Sequence, residues 1–247
     1  MPHTSDESKS NRFAEDFFDS GRHVPGTFER YSFAEYCQTF KPLTETIVKH
    51  FCPRRVLDVG CAKGSLVCAF RESGVEAFGV DISEYAISSA PMSLQSFLTV
   101  VDLDRNSLPF KNDFFDFVTF LGSIEYLRNH KHVIAELERV MVDDGSMFLT
   151  TLYRQPEGDI YRFNVHSKAF WLKEFERWSI PSVYYAFMGD YFQSSGRSKF
   201  ILSRAKKLLF GKSRFTDAFF VFLWDIFTKL HILNYGVILL TLHKSKG

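Results

Sequence analysis

The stretch from Arg55 to Leu66, RVLDVGCAKGSL, constrains this chain more than any other. Its apolar opening reads as a buried strand. The run breaks into a turn of small residues, Gly60, Cys61, Ala62 and Gly64, and Ser65 then opens a helical pattern. A turn so poor in side chains lets bare backbone approach a ligand. The alternation repeats downstream, with strand patterns in VEAFGVD, SFLTVVD, FFDFVTFLG and MFLTTLY. Helical patterns lie between them, at Ser65 to Glu72, after Ser83 and from His132 to Val142. Near-continuous apolar strands separated by helices predict a mostly parallel sheet covered on both faces, a doubly wound α/β fold. Ligands of such folds sit beyond the carboxyl ends of the strands.

Other segments flank this core. Residues 1–12 are polar and predicted to be disordered, and residues 13–50 form an N-terminal helical cap with the patterns FAEYCQTF and LTETIVKHF. The core spans 51–190, with SKAFWLKEFERW a helix and SVYYAFMG a sixth strand. Residues 191–233 are too many for a plain hairpin connection and read as a helical insertion. Residues 234–247 add a last strand, NYGVILLTLHK, and a tail. The N-terminus lacks the apolar stretch of a secretory signal, and Cys37, Cys52, Cys61 and Cys68 form no CxxC pair. They are expected to be reduced thiols of a cytoplasmic protein, with no disulfide framework and no metal site. Lys plus Arg (30) balance Asp plus Glu (29), so no global field invites nucleic acid.

The turn itself discriminates among ligands. A phosphate-binding P-loop needs Gly-Lys-[Ser/Thr], whereas here Lys63 precedes Gly64. A dinucleotide fingerprint needs glycines at 60, 62 and 65, and the chain has Gly60, Ala62 and Ser65. Asp58, two residues before Gly60, would also repel a pyrophosphate, but it suits a ligand carrying ammonium and sulfonium groups. Asp81 closes the second strand, where a carboxylate offers two acceptor oxygens to a ribose diol. Asp102 closes the third, where it can accept from an adenine amino group while the Leu103 N–H faces a ring nitrogen.

Four stretches, VLDVGCAKGSL, GVDIS, VVDLDRNSLPFKNDFFDFVTFLGSIEYL and HVIAELERVMVDDGSMFLTT, carry a resemblance to class I S-adenosylmethionine-dependent methyltransferases over residues 28–180. The resemblance implies a seven-stranded sheet whose last strand is antiparallel. It also implies that Asp58, Gly60 and Gly64 surround the methionine portion of S-adenosyl-L-methionine, Asp81 the ribose, and Asp102 with Leu103 the adenine. Leu121 and Gly122 would pass near the methionine carboxylate, and Cys61, Ala62, Ile82 and Tyr126 complete the cofactor-binding set. The chain departs from the family pattern at three places. Ala62 stands for a middle glycine, Glu125-Tyr126 for Glu-His, and Asp143-Asp144-Gly145 for Lys-Pro-Gly-Gly.

Methyl transfer needs an aligned nucleophile in a desolvated site, and a hydroxyl acceptor gains from a general base. Glu125, just after the fourth strand, and His166, in YRFNVHSKAFWLKEFE, are the candidate catalytic residues. The latter stretch resembles one in methyltransferases encoded with polysaccharide and glycan genes, where it edges the acceptor site. Tyr153, Arg154 and Arg162 are further candidates for the acceptor mouth. The expected function is transfer to a small-molecule or saccharide acceptor, O-directed. A non-catalytic cofactor-binding module and, less favoured by Asp58 and the glycine spacing, an NAD-dependent oxidoreductase are the alternatives. Residues 197–214 carry seven basic residues and no acid, followed by the aromatic run FTDAFFVFLWDIFTKLHIL. This mixture fits either a lid packed on the core or a peripheral membrane contact through 197–232.

Overall fold

A computed structural model describes residues 13–20, 31–152, 162–186 and 237–244. Helix α1, Phe33–Phe51, buries Cys37, Phe40, Leu43, Thr44 and Ile47, an apolar stripe at helical spacing. It runs unbroken through Pro42, where the Thr44 and Thr46 hydroxyls donate to the carbonyls of Lys41 and Pro42. The two sequence patterns in this region are therefore one helix. Cys52 ends it in a left-handed conformation, its N–H donating to the Val48 carbonyl, and Pro53 bars further propagation.

The α/β alternation follows as expected. Strand β1 is Arg55–Val59, α2 Ser65–Glu72, β2 Glu76–Asp81, α3 Glu84–Ser88, α4 Met92–Gln95, β3 Leu98–Val100 and β4 Phe115–Leu121. Then come α5, His130–Val140, β5, Met141–Leu152, α6, Lys168–Glu174, β6, Trp178–Ala186, and β7, Val237–Lys244. The seven strands order as β3-β2-β1-β4-β5-β7-β6. Pairings among β1 to β5 are parallel, and β7 runs antiparallel to both β5 and β6. The order reverses between β1 and β4, the switch point where a doubly wound sheet opens a crevice.

Both faces are covered. Val56, Ala77, Phe117 and Phe148 pack with α1 and α2 on one side. Leu57, Val59, Val80, Val118 and Leu149 pack with Val133, Leu137, Trp171 and Phe175 on the other. Successive residues of one strand thus go to opposite cores, which is why the strands lack polar alternation.

Local boundaries differ from the sequence expectation for identifiable reasons. Helix α5 begins at His130 because the Asn129 side chain caps it, accepting from the His132 N–H at 3.3 Å. Its end is immediate, and Met141 already pairs with Phe115. The expected turn at 142–146 is a loop-out within β5: Phe117 pairs next with Ser146, and Asp144 adopts φ +62° at its bend. Helix α6 stops at Glu174 rather than continuing to Trp178, which already belongs to β6. The expected disordered tail at 1–12 and the insertion at 191–233 lie outside the described residues, as do Tyr153 and Arg154. Among the described residues, no helix is long and apolar enough to cross a membrane.

Phe117 is 1% exposed, with its ring 5.0 Å from Phe51 and 6.0 Å from Phe148. Phe117→Ala is expected to lower stability by about 3–5 kcal/mol, because the helix above cannot collapse fully into the cavity. Urea unfolding followed by far-UV circular dichroism reads this as a lower midpoint at unchanged m.

Candidate functional site

The small-residue turn is shaped by its neighbours. Gly60 has φ +77°, and a Cβ there would lie 2.3 Å from Ser123 Oγ, so neither the backbone nor the space admits a side chain. The N–H groups of Gly60 and Cys61 both donate to the Val80 carbonyl, at 2.8 and 3.1 Å, sewing the turn to β2. Ala62, also left-handed at φ +50°, donates its N–H to Asp81 Oδ2 at 2.8 Å. Asp81 Oδ1 accepts from the Ser83 N–H at 2.9 Å, and Ser83 Oγ caps α3 by accepting from Ala86. One carboxylate therefore ties the turn after β1 to the start of the helix after β2.

The electrostatics of these tips are unusual. Asp58 is 5% exposed, and its Oδ1 accepts from Thr119 Oγ1 at 2.7 Å, across the β1–β4 pairing. Burial, opposed by that hydrogen bond and reinforced by the charge of Asp81, pushes its pKa up to about 7. Burial also raises Asp81, against hydrogen bonds from the N–H groups of Ser83, Ala62 and Ile82. Neither acid is lowered by a positive side chain. Burial, with Asp81 and Asp58 nearby, pushes the Cys61 thiol well up, so it lines the turn as a neutral group. Asp102 lies two residues beyond β3; its Oδ1 accepts from the Asp104 N–H at 3.0 Å, and Arg105 Nε is 3.7 Å from Oδ2. Leu103 beside it is buried. Gly122, at φ +64°, donates to the Thr150 carbonyl just past Leu121.

A second wall arises from the start of the expected N-terminal cap. Residues 13–20, including a short π-helical turn at Asp16–Ser20, lie across the tips of β1, β2 and β4. Lys63 Nζ pairs with Asp19 Oδ1 at 2.7 Å, and the Tyr85 hydroxyl donates to the other Asp19 oxygen. Ser83 Oγ donates to the Phe13 carbonyl. The rings of Phe13 and Phe17 meet Tyr126 edge-on at 5.4 and 6.3 Å. The acidic-aromatic composition of EDFFDS was the available signal, but nothing local says which surface it covers.

The candidate catalytic residues separate. Glu125 is 2% exposed in the 3₁₀ turn Ile124–Tyr126, and its carbonyl accepts from the N–H groups of Phe163 and Asn164 at 2.6 and 3.0 Å. Arg162 Nε donates to the Tyr126 hydroxyl at 3.1 Å. Glu125, Tyr126 and Arg162 are thus brought together. His166 instead stacks on Phe170 at 3.8 Å and faces Trp171, with its Nε2 3.4 Å from Asn164 Oδ1. Burial, then the neighbouring His130, lowers its pKa, and Glu174 opposes both. His130 is itself held by Glu174 at 3.0 Å.

The donor set at the tips suits a cation-bearing ligand with a diol better than an anion. Asp58 and Asp81 offer acceptor oxygens that a cation would draw into the ionised form, and the glycine turn supplies bare backbone beside them.

Comparison with known proteins agrees. A family of methyltransferase domains matches residues 28–196, well over half of the chain. The ubiquinone biosynthesis O-methyltransferase of Dechloromonas aromatica is 32% identical over 112 residues, 44% of this chain and 48% of its own length. The chain spans about half the length of the curated relatives it matches. Among solved structures, an S-adenosylmethionine-dependent methyltransferase from Archaeoglobus fulgidus aligns with a TM-score of 0.54 at 16% identity, covering 84% of this chain and 94% of that one. The phosphoethanolamine N-methyltransferase 2 of Haemonchus contortus, solved in complex with S-adenosyl-L-methionine, gives 0.54 at 16% identity, covering 87% and 58%. At these identities the structural likeness is one of fold.

The raised Asp58 pKa has a measurable sign. In the ligand-free chain the folded state holds this proton above the ordinary carboxylate range, so the contribution of Asp58 to stability falls as pH rises from about 4 to about 7 and is flat beyond. The Asp58 share of that fall is at most about 4 kcal/mol. Asp58→Asn, which keeps the Thr119 hydrogen bond, is expected to flatten this part of the curve in urea unfolding at stepped pH. An unchanged slope would remove Asp58 as its source.

Proposed function

The chain belongs to the methyltransferase-domain family, and on that premise we propose that it is an S-adenosyl-L-methionine-dependent methyltransferase acting on a hydroxyl of a small-molecule or saccharide acceptor. The observation that carries the reading is the pair of acids, buried Asp58 and half-buried Asp81, flanking a left-handed glycine turn with no positive side chain to offset them. When bound, the cofactor supplies a methyl group already activated by its sulfonium charge, and S-adenosyl-L-homocysteine is the product. Gly60, Cys61, Ala62 and Gly64 give it backbone contact, and Asp58 offers its carboxylate to the amino-acid end. Asp81 and Ile82 take the ribose, Asp102 and Leu103 the adenine, and Leu121, Gly122 and Tyr126 the remaining wall.

The protein's own work is alignment and proton management. The buried Glu125 carboxylate receives the acceptor hydroxyl proton, and two N–H groups on its carbonyl pin the main chain that carries it. Arg162 holds the Tyr126 hydroxyl, and the pair edges the acceptor mouth. His166, kept neutral by burial and by His130, is the alternative proton acceptor. The name of the curated relatives, O-methyltransferases of ubiquinone biosynthesis, supports an oxygen acceptor.

Calorimetry with S-adenosyl-L-homocysteine against NAD tests the cofactor, and a labelled-methyl screen over saccharide, lipid and small phenolic acceptors tests the reaction. Heat with the homocysteine compound and no transfer to any acceptor would leave a binding module. Heat with NAD alone would make the chain an oxidoreductase. With an acceptor in hand, Glu125→Gln is expected to reduce kcat about a hundredfold or more, with cofactor affinity nearly intact; His166→Ala is measured in parallel. Full turnover in both variants removes both residues from the mechanism.

A further inference from the structure

Away from the strand tips, a set of metal-type donors stands between α1 and α2. Cys68 and Glu72 are four residues apart and share one face of α2, and Cys37 meets them from α1. Cys68 Sγ lies 3.6 Å and Cys37 Sγ 4.0 Å from Glu72 Oε1, and the three ligand atoms fall within 4.8 Å of one another. A tetrahedral zinc ion with ordinary Zn–S and Zn–O bonds has S···O edges of about 3.6 Å and S···S edges of about 3.8 Å. The donors therefore already stand near three corners of such a tetrahedron. We propose that Cys37, Cys68 and Glu72 form a binding site for a thiophilic divalent cation of the zinc type, its fourth position open to water.

Three further features fit. Glu72 divides its oxygens: Oε1 faces the thiols, while Oε2 pairs with Lys41 Nζ at 2.8 Å, an outer partner that orients a carboxylate ligand. The charges close, because two thiolates and one carboxylate equal one divalent cation plus the Lys41 ammonium. Access is also present, since Cys37 is buried but Cys68 and Glu72 reach the surface. Partial burial, with Cys37 and Glu72 alongside, raises the Cys68 thiol when no metal is bound. On binding, each thiol releases its proton to solvent as its sulfur–metal bond forms, so no oxidant is needed. The bound ion would join α1 to α2 one turn beyond Gly64, whose carbonyl accepts the Cys68 N–H at 2.9 Å. No CxxC spacing marks these residues, because the site is assembled by packing of two helices.

The test uses the full chain, reduced, stripped with chelator and titrated first with Co²⁺, then with Zn²⁺ as competitor. The expected result is a thiolate-to-cobalt charge-transfer band that saturates at one equivalent per chain, is displaced by Zn²⁺, and accompanies a rise in Tm. Cys68→Ser, at a half-exposed position that spares the core, is expected to abolish the band, and Glu72→Gln to weaken binding. Lys41→Gln is expected to weaken it by about tenfold. Cys52→Ser, an exposed cysteine outside the cluster, is expected to change nothing. A missing band, or one that persists at full strength in Cys68→Ser, overturns the proposal. The readout is metal binding, so it is independent of any methyl-transfer activity.

Discussion

The hold of one carboxylate on backbone N–H groups from two chain segments organises this molecule. Asp81 accepts from Ala62 in the turn and from Ser83 at the next helix start, so the tips of β1 and β2 are one rigid unit. That unit fixes Ala62 in a left-handed conformation a non-glycine residue adopts only with local support. Asp58 stands on the neighbouring strand, held beside Asp81 by the β1–β2 pairing itself. A carboxyl raised to about 7 by burial keeps a latent negative potential in a low-dielectric crevice, drawn out when a cation pairs with it. A positively charged ligand relieves that potential, and pre-organisation means no carboxylate must be gathered when it arrives.

Much of this was legible in the sequence, for local reasons. Alternation of apolar strands and helices is a property of short windows, and the acids at strand ends follow once the strands are placed. The seven strands, with β7 antiparallel, match what the family resemblance implies. What could not be read were the partners supplied by distant segments. Thr119 looks like any strand residue until the β1–β4 register sets it opposite Asp58. The loop-out in β5 hides in a stretch that reads as an ordinary turn, because only pairing with β4 shows that Met141 is already in the sheet. Cys37 and Cys68 likewise meet only after two helices pack.

The acceptor side shows the same division. Glu125 follows directly from its place after β4, whereas its rigidity comes from residues 163 and 164, which bond its carbonyl. Arg162, rather than His166, is the member of that segment set against Tyr126. Where relatives of the resemblance carry His after the glutamate, this chain places a phenol held by a guanidinium. The proposed acceptor mouth would thus have an aromatic face and a fixed hydroxyl, a surface suited to stacking against a ring while orienting a polar group.

The N-terminal segment adds a mechanical consequence. Asp19 is gripped by Lys63, which belongs to the glycine turn, and by Tyr85, which follows the tip of β2. The same segment carries the Phe13 and Phe17 rings that meet Tyr126 beside those tips. A partly exposed ion pair is worth only about 1 kcal/mol, so the segment is tethered to the tips by a contact that is specific in place yet costs little to part.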